Sequence, residues 1–109
     1  MSKKSSSAVI MTGANGLVGS VFARDFASSY DITNLDLSGT PSVDITNAKQ
    51  IDDIFAKSSA QTVVHMAAFT DVTSAWQQSG DKNGIAYRVN VSGTENIVAA
   101  CQAHGKKLI

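Results

Sequence analysis

The stretch Val9–Ala23, "VIMTGANGLVGSVFA", joins an apolar run to three glycines spaced three apart, Gly13, Gly16 and Gly19. The run from Ala8 to Thr12 is unbroken and rich in branched residues, the pattern of a strand covered on both faces. From Gly16 onward Val18, Phe22 and Phe26 recur at four-residue spacing, which predicts one face of a helix reaching Tyr30. A strand, a glycine turn and a helix in that order form the setting of a dinucleotide-binding fingerprint. The spacing here is GxxGxxG, one residue longer between the first two glycines than the usual GxGxxG. Gly13 lets the chain leave the strand sharply, with positive φ. Gly16 has no Cβ to keep a pyrophosphate from the backbone, and Gly19 permits close packing of helix on strand. The start of the helix then turns N–H groups and a positive dipole end toward the phosphates. A tight bend with no ligand has the same glycines, so the choice rests on residues farther along.

Asp36 is the first of these. It ends a second predicted strand, "DITNLDL" (Asp31–Leu37). A carboxylate placed there, roughly 20 residues beyond the glycine turn, accepts hydrogen bonds from an adenosine ribose. The same charge repels a 2′-phosphate, and no lysine or arginine follows nearby, so NAD is expected over NADP. A short third strand is read in "SVDIT" (Ser42–Thr46), just after Pro41. Its Asp44 suits either a hydrogen bond from the adenine amino group, with Ile45 against the ring, or plain turn chemistry before a helix. Asn47 is a candidate cap for that helix, whose apolar face is Ile51, Ile54 and Phe55.

A fourth strand, "QTVVHMAA" (Gln61–Ala68), ends in Ala67 and Ala68 at its C-terminal end, where open α/β sheets bind ligands. His65, just before them, reads better as a buried histidine satisfied by the protein than as a ligand. A polar loop is expected over Phe69–Gly84, with Thr70, Asp71 and Trp76 as specificity candidates; Trp76 suits packing under the loop equally well. Ile85, Val89, Gly93, Ile97 and Cys101 then mark one stripe of a long helix that ends near Gly105, a candidate left-handed cap. "KKLI" begins a fifth strand. Alternating strands and helices predict an α/β, Rossmann-like, doubly wound parallel sheet with strand order 3-2-1-4 and the start of 5. The link between the second and third strands is shorter than a parallel crossover needs, so the third strand must be very short.

The 109 residues leave room for one domain, over 8–109, behind a polar segment "MSKKSSS" (1–7) read as a disordered tail. An apolar fraction of 43% is enough for a core. Nine basic and nine acidic residues cancel, which argues against nucleic acid and against a membrane surface as partners. No apolar run approaches a membrane span, and the N-terminus is not a signal peptide. The single cysteine, Cys101, cannot form an internal disulfide and reads as a small core side chain, which fits a reducing, cytoplasmic setting. Two histidines and one cysteine show no metal-ligand spacing, so no metal site is expected.

Taken together, TGxxGxxG, Asp36, Asp44, "HMAA" (65–68) and "YRVNVSGTENIVAAC" (87–101) resemble the extended short-chain dehydrogenase/reductases, specifically the NAD-dependent epimerase/dehydratase branch acting on nucleotide sugars. "AAFTDV" (67–72) and the missing helix between strands 2 and 3 also resemble dTDP-4-dehydrorhamnose reductases within that branch. The resemblance implies cofactor contacts from Gly13, Asn15, Gly16, Leu17, Val18, Gly19, Asp36, Asp44, Ile45, Ala67, Ala68 and Asn90. It implies a nucleotide-sugar substrate and hydride transfer at a sugar carbon. A homodimer is implied as well, built on the long helix carrying Gly93 and Ile97. Family members also use a Ser/Thr after the fifth strand and a Tyr-x-x-x-Lys pair, in which the lysine lowers the tyrosine pKa. Tyr30 is followed four positions on by Asn34 and Tyr87 by Val91, so no catalytic residue is assigned, and the substrate lobe is missing. The expectation is an N-terminal portion holding the cofactor half of the mechanism. The alternatives are a non-catalytic NAD(H)-binding sensor or adaptor, and an unstable remnant with an open sheet edge.

Overall fold

The computed structural model describes residues 8–39, 42–68 and 72–109. The expected tail, Pro41, Phe69, Thr70 and Asp71 lie outside the described residues. The elements are β1 (Ala8–Thr12), α1 (Leu17–Phe26), β2 (Asp31–Leu35), α2 (Ala48–Lys57), β3 (Thr62–His65), α3 (Val72–Gln77), α4 (Ile85–Tyr87), α5 (Thr94–Ala103) and β4 (Lys107–Leu108). A π-helical segment, Arg88–Gly93, makes α4 and α5 one continuous rod. All strand pairs are parallel, in the order β2-β1-β3-β4. This is the expected doubly wound α/β arrangement without the short third strand.

Strand side chains alternate between faces, so Ile10 and Val63, partners across β1 and β3, point the same way. They meet Ile51 and Phe55 of α2 and Ile97, Ala100 and Cys101 of α5 in a buried core. Val9 and Met11, also buried, point to the opposite face, where the right-handed β1-α1-β2 crossover carries α1. Asn47 caps α2 as expected, accepting from the Gln50 amide at 3.1 Å. Gly105 closes α5 at φ 63°, a left-handed conformation that glycine adopts without strain.

Three expectations need correction. Ser42–Thr46 is not a strand. Val43 and Ile45 do alternate into the core, but the backbone is held by the Asp36 carbonyl, the Gln50 side chain and a turn at Asp44 rather than by a neighbouring strand. The link from β2 is too short for a parallel crossover, so the pattern of a strand survives without its ladder. The loop expected over Phe69–Gly84 contains the short helix α3. The stripe of the long helix is inward only from Gly93 on, with Val89 partly buried against the core and Ile85 43% exposed. The π segment inserts extra backbone into the turn and rotates the residues before it off the line.

Candidate functional site

A cleft of about 460 Å³ opens at the C-terminal ends of β1 and β3, beside the start of α1. That volume lies within the range of small-molecule and cofactor sites. One side of the cleft is the glycine turn. Gly13 has φ +71° and presses on the exit of β3: a Cβ there would lie 2.8 Å from the Ala67 nitrogen. Its own N–H donates to the Leu35 carbonyl at 3.1 Å, which ties the turn to β2. Gly19 packs not on the strand but on the turn itself, since a Cβ would meet the Gly13 carbonyl oxygen at 2.1 Å. Gly16 faces outward, with only the Gly13 oxygen within reach of a Cβ, at 3.2 Å. The helix starts at Leu17 with no side-chain cap and no acid in its first turn, so its leading N–H groups and dipole are available to an anion.

The other side of the cleft is built by β2 and the segment that follows it. Asp36 sits at the mouth, its Oδ2 accepting from the Asn15 amide at 3.2 Å and its Oδ1 from the Ser38 amide at 2.9 Å. Its carboxylate therefore braces the glycine loop as well as lining the cleft. Asp44 closes its own turn, with Oδ1 accepting from the Thr46 amide and hydroxyl at 2.9 and 2.7 Å, and it also lines the cleft. Turn chemistry and a place in the site thus coexist there. Ile45 is buried between the cleft and Gly93, where a Cβ would meet its side chain at 2.7 Å.

Of the residues expected at the site, Gly13, Gly16, Leu17, Val18, Gly19, Asp36, Asp44, Ile45, Ala67 and Ala68 surround this one cleft. Asn15 and Asn90 are not among its lining residues. Asn15 instead joins the turn to β2 by accepting from Asn34 Nδ2 at 3.0 Å, and Asn90 is an exposed residue of the π segment. The structure adds Leu35, Leu37, Val43, Met66 and Val89 to the wall. From sequence Leu35 and Val43 lie inside predicted strands and Val89 on a helix stripe, and nothing there singles them out for the cleft. Trp76 is 77% exposed, so it does not pack under its loop. Gly93 and Ile97, expected on a helix that pairs two copies, are turned into the chain's own core.

Directly behind the Ala67 wall, Thr12, His65 and Thr94 form a chain of hydrogen bonds joining β1, β3 and α5. Thr12 Oγ1 lies 2.6 Å from His65 Nδ1, and His65 Nε2 lies 2.9 Å from Thr94 Oγ1. Burial holds the His65 imidazole below its ordinary pKa. Burial also pushes the Cys101 thiol up, against a smaller downward pull from Lys106, consistent with its expected place in the core. Among the described residues no cluster of metal-ligating side chains is present, and no helix is long and apolar enough to cross a membrane.

Comparison with known proteins places these features in one family. In structure, the chain resembles dTDP-4-dehydrorhamnose reductase from Bacillus anthracis, solved in complex with NADP. The TM-score is 0.79 at 31% identity, covering 98% of this chain and 36% of that one. It also resembles UDP-glucose 4-epimerase from Thermus thermophilus, solved with NAD, with TM-score 0.75 at 25% identity, covering 93% and 36%. In sequence it is 28% identical over 104 residues to a 2-alkyl-3-oxoalkanoate reductase of Stenotrophomonas maltophilia, covering 89% of this chain and 30% of the relative. The chain thus spans about a third of the length of the relatives it matches. Residues 7–109 match the family model described as RmlD substrate binding domain, and the chain belongs to that family.

Proposed function

We propose that this chain binds a nicotinamide dinucleotide, with NAD preferred, as the cofactor portion of an oxidoreductase or epimerase acting on nucleotide sugars. The observation that carries the reading is the cleft at which Gly13 and Gly19, packed too closely for any Cβ, shape the turn while Gly16 leaves its backbone open beside the uncapped start of α1. The pyrophosphate would lie along Gly16 and the first N–H groups of α1. Asp36 would receive the adenosine ribose, and Val43, Asp44 and Ile45 the adenine. Ala67 and Ala68, small and close to Gly13, would let the middle of the cofactor lie near the backbone. When bound, the nicotinamide supplies hydride transfer at a sugar carbon. The chain's own residues bind and orient; none is assigned to proton transfer.

The relatives' structures hold NADP in one case and NAD in the other, so the preference for NAD rests on Asp36. A carboxylate there repels a 2′-phosphate, and Leu37, Ser38 and Gly39 bring no cation to offset it. A cytoplasmic setting goes with this function, in keeping with the lone buried thiol. A homodimer goes with it too, and with Gly93 and Ile97 buried it would use the exposed Val91, Glu95 and Val98.

Calorimetric titration with NAD and NADP tests the reading. NAD is expected to bind at least about tenfold more tightly, a difference of about 1.4 kcal/mol. Asp36→Ala should narrow that gap. Asp36→Asn, which keeps an acceptor for the Asn15 amide, should narrow it through charge alone. Equal affinity for the two cofactors in the wild-type chain would remove Asp36 from its assigned role.

A further inference from the structure

The Thr12–His65–Thr94 chain is more tightly determined than its distances alone suggest. Thr12 Oγ1 accepts from the Met66 amide at 3.0 Å and from the Ala67 amide at 3.0 Å. A hydroxyl has two lone pairs and one proton. The Ala67 amide holds one lone pair and the Met66 amide shares its hydrogen between the other and the Thr12 carbonyl, which directs the hydroxyl proton to His65 Nδ1. In that arrangement Nδ1 is assigned as the acceptor and the ring proton to Nε2, donating to Thr94 Oγ1. Thr12 is fully buried, which shields its hydroxyl from bulk solvent. The Met66 amide also has the Thr12 carbonyl at 3.1 Å. The Ala67 amide has the hydroxyl, and Ala67 lines the cleft and packs directly against Gly13.

We propose that neutral His65 is a positioning residue for the dinucleotide, locking Ala67 against Gly13 through the Thr12 hydroxyl and tying that lock to α5 through Thr94. This rests on the cofactor reading given above. A proton added at Nδ1 would turn the acceptor into a donor. Thr12 Oγ1 would then meet Nδ1–H beside the amides, and its own buried proton would lose its acceptor, so the hydroxyl must turn. The Met66 amide keeps the Thr12 carbonyl, whereas the Ala67 amide has only the hydroxyl. A hydroxyl that turns to satisfy its own proton therefore takes the Ala67 bond with it and frees Ala67 from its fixed place against Gly13.

The surroundings leave this proton to His65. β1 brings no ionisable side chain. The π segment brings Arg88, α5 brings Glu95 and Cys101, and β4 brings Lys107; Arg88, Glu95 and Lys107 are exposed, and Cys101 is buried in the core. Burial is the cause of the lowered His65 pKa, with no charged neighbour contributing. The other histidine, His104, bonds Asp52 at 2.8 Å between α5 and α2 and serves as an internal control.

The test uses the full chain and NAD as the probe, titrated from pH 8 to pH 5. Affinity should be flat at the upper end and fall by about tenfold per pH unit below the folded His65 pKa, as the competent neutral fraction shrinks. His65→Asn supplies a non-titrating acceptor near the Nδ1 position and should bind with the pH dependence gone. His65→Phe should bind weakly at every pH, and His104→Gln should leave the profile unchanged. Nitrogen-15 NMR of the imidazole supplies a readout that needs no cofactor: the neutral ring should carry its proton on Nε2, and the Ala67 amide should shift as His65 titrates. A proton on Nδ1, an Ala67 amide blind to pH, or a profile surviving in His65→Asn would overturn the proposal. If the folded wild-type chain binds no NAD at any pH, the cofactor reading fails and the affinity claim falls with it. The NMR result then shows separately whether the lock itself exists.

Discussion

The two faces of the sheet are finished to different degrees. Under α2 and α5, Ile10, Leu35 and Val63 meet Ile51, Phe55 and Ile97, and all are buried. On the opposite face α1 buries only Gly19 and leaves Leu17 88%, Val18 67%, Val21 44% and Phe26 42% exposed. Leu17, Val18, Val21, Phe22, Phe26 and Met66 line a shallow apolar groove there. The cleft draws on both faces and is held differently by each. Its far side, Val43 and Ile45, is part of the packed core. Its glycine-turn side is held by backbone geometry: Gly13 at positive φ, Gly19 against the Gly13 carbonyl, and the Asn15 amide on Asp36. The glycine turn is thus shaped while the helix that follows it still shows its apolar stripe to solvent.

The largest expected effect separates the faces outright. Phe55→Ala empties the packed side and should cost about 3–5 kcal/mol, enough to unfold much of the population in chemical denaturation. A loss below about 1 kcal/mol would mean that the α2 and α5 face is looser than its burial implies. Next comes Gly19→Ala, which sets a methyl into the turn's own carbonyl. It should cost about 1–3 kcal/mol and impair NAD binding, because backbone cannot step aside as a side-chain tip does.

A smaller effect is expected from pH. His65 is held below its ordinary 6.5 in the folded chain, so on acidification the unfolded chain takes up that proton first. The His65 contribution to stability is complete above about 6.5 and is lost as pH falls from there through the folded value. Denaturation midpoints of wild type and His65→Phe should converge on acidification; parallel curves would mean that His65 is not the group titrating. The smallest effect belongs to the open face. Val21→Gln, on the exposed stripe of α1, should change stability by no more than about 0.5 kcal/mol. A loss as large as that of Phe55→Ala would show that α1 is packed in solution.

The sequence made the glycine turn, Asp36, the α2 cap at Asn47 and the strand exits legible, because each depends on local chemistry within a few residues. It misled where long-range pairing decides. Val43 and Ile45 alternate like a strand, yet their backbone partners are Asp36 and Gln50, a choice that only the short link from β2 hinted at. A regular stripe, Ile85, Val89, Gly93, Ile97 and Cys101 each four apart, hid the π segment, because it reads as one continuous α-helical face. The role of Thr12 was hidden in the same way. A threonine ending a buried strand reads as strand-forming, and only the folded chain brings His65 and the Ala67 amide to its hydroxyl.

Gly16 offers the most direct test of the central claim, that the glycine turn is a dinucleotide cradle. Its backbone has φ -76° and ψ 177°, an extended conformation open to any residue. A Cβ there meets only the Gly13 oxygen, at 3.2 Å. That contact is tight and its partner is backbone, so Gly16→Ala should lower the denaturation midpoint, by less than Gly19→Ala does, while leaving the chain folded and filling the space assigned to the pyrophosphate. Calorimetric titration of NAD into wild type and Gly16→Ala should show binding weakened by about tenfold or more in the variant. Equal NAD affinity in the two proteins, with the fold intact, would contradict a cradle at this turn.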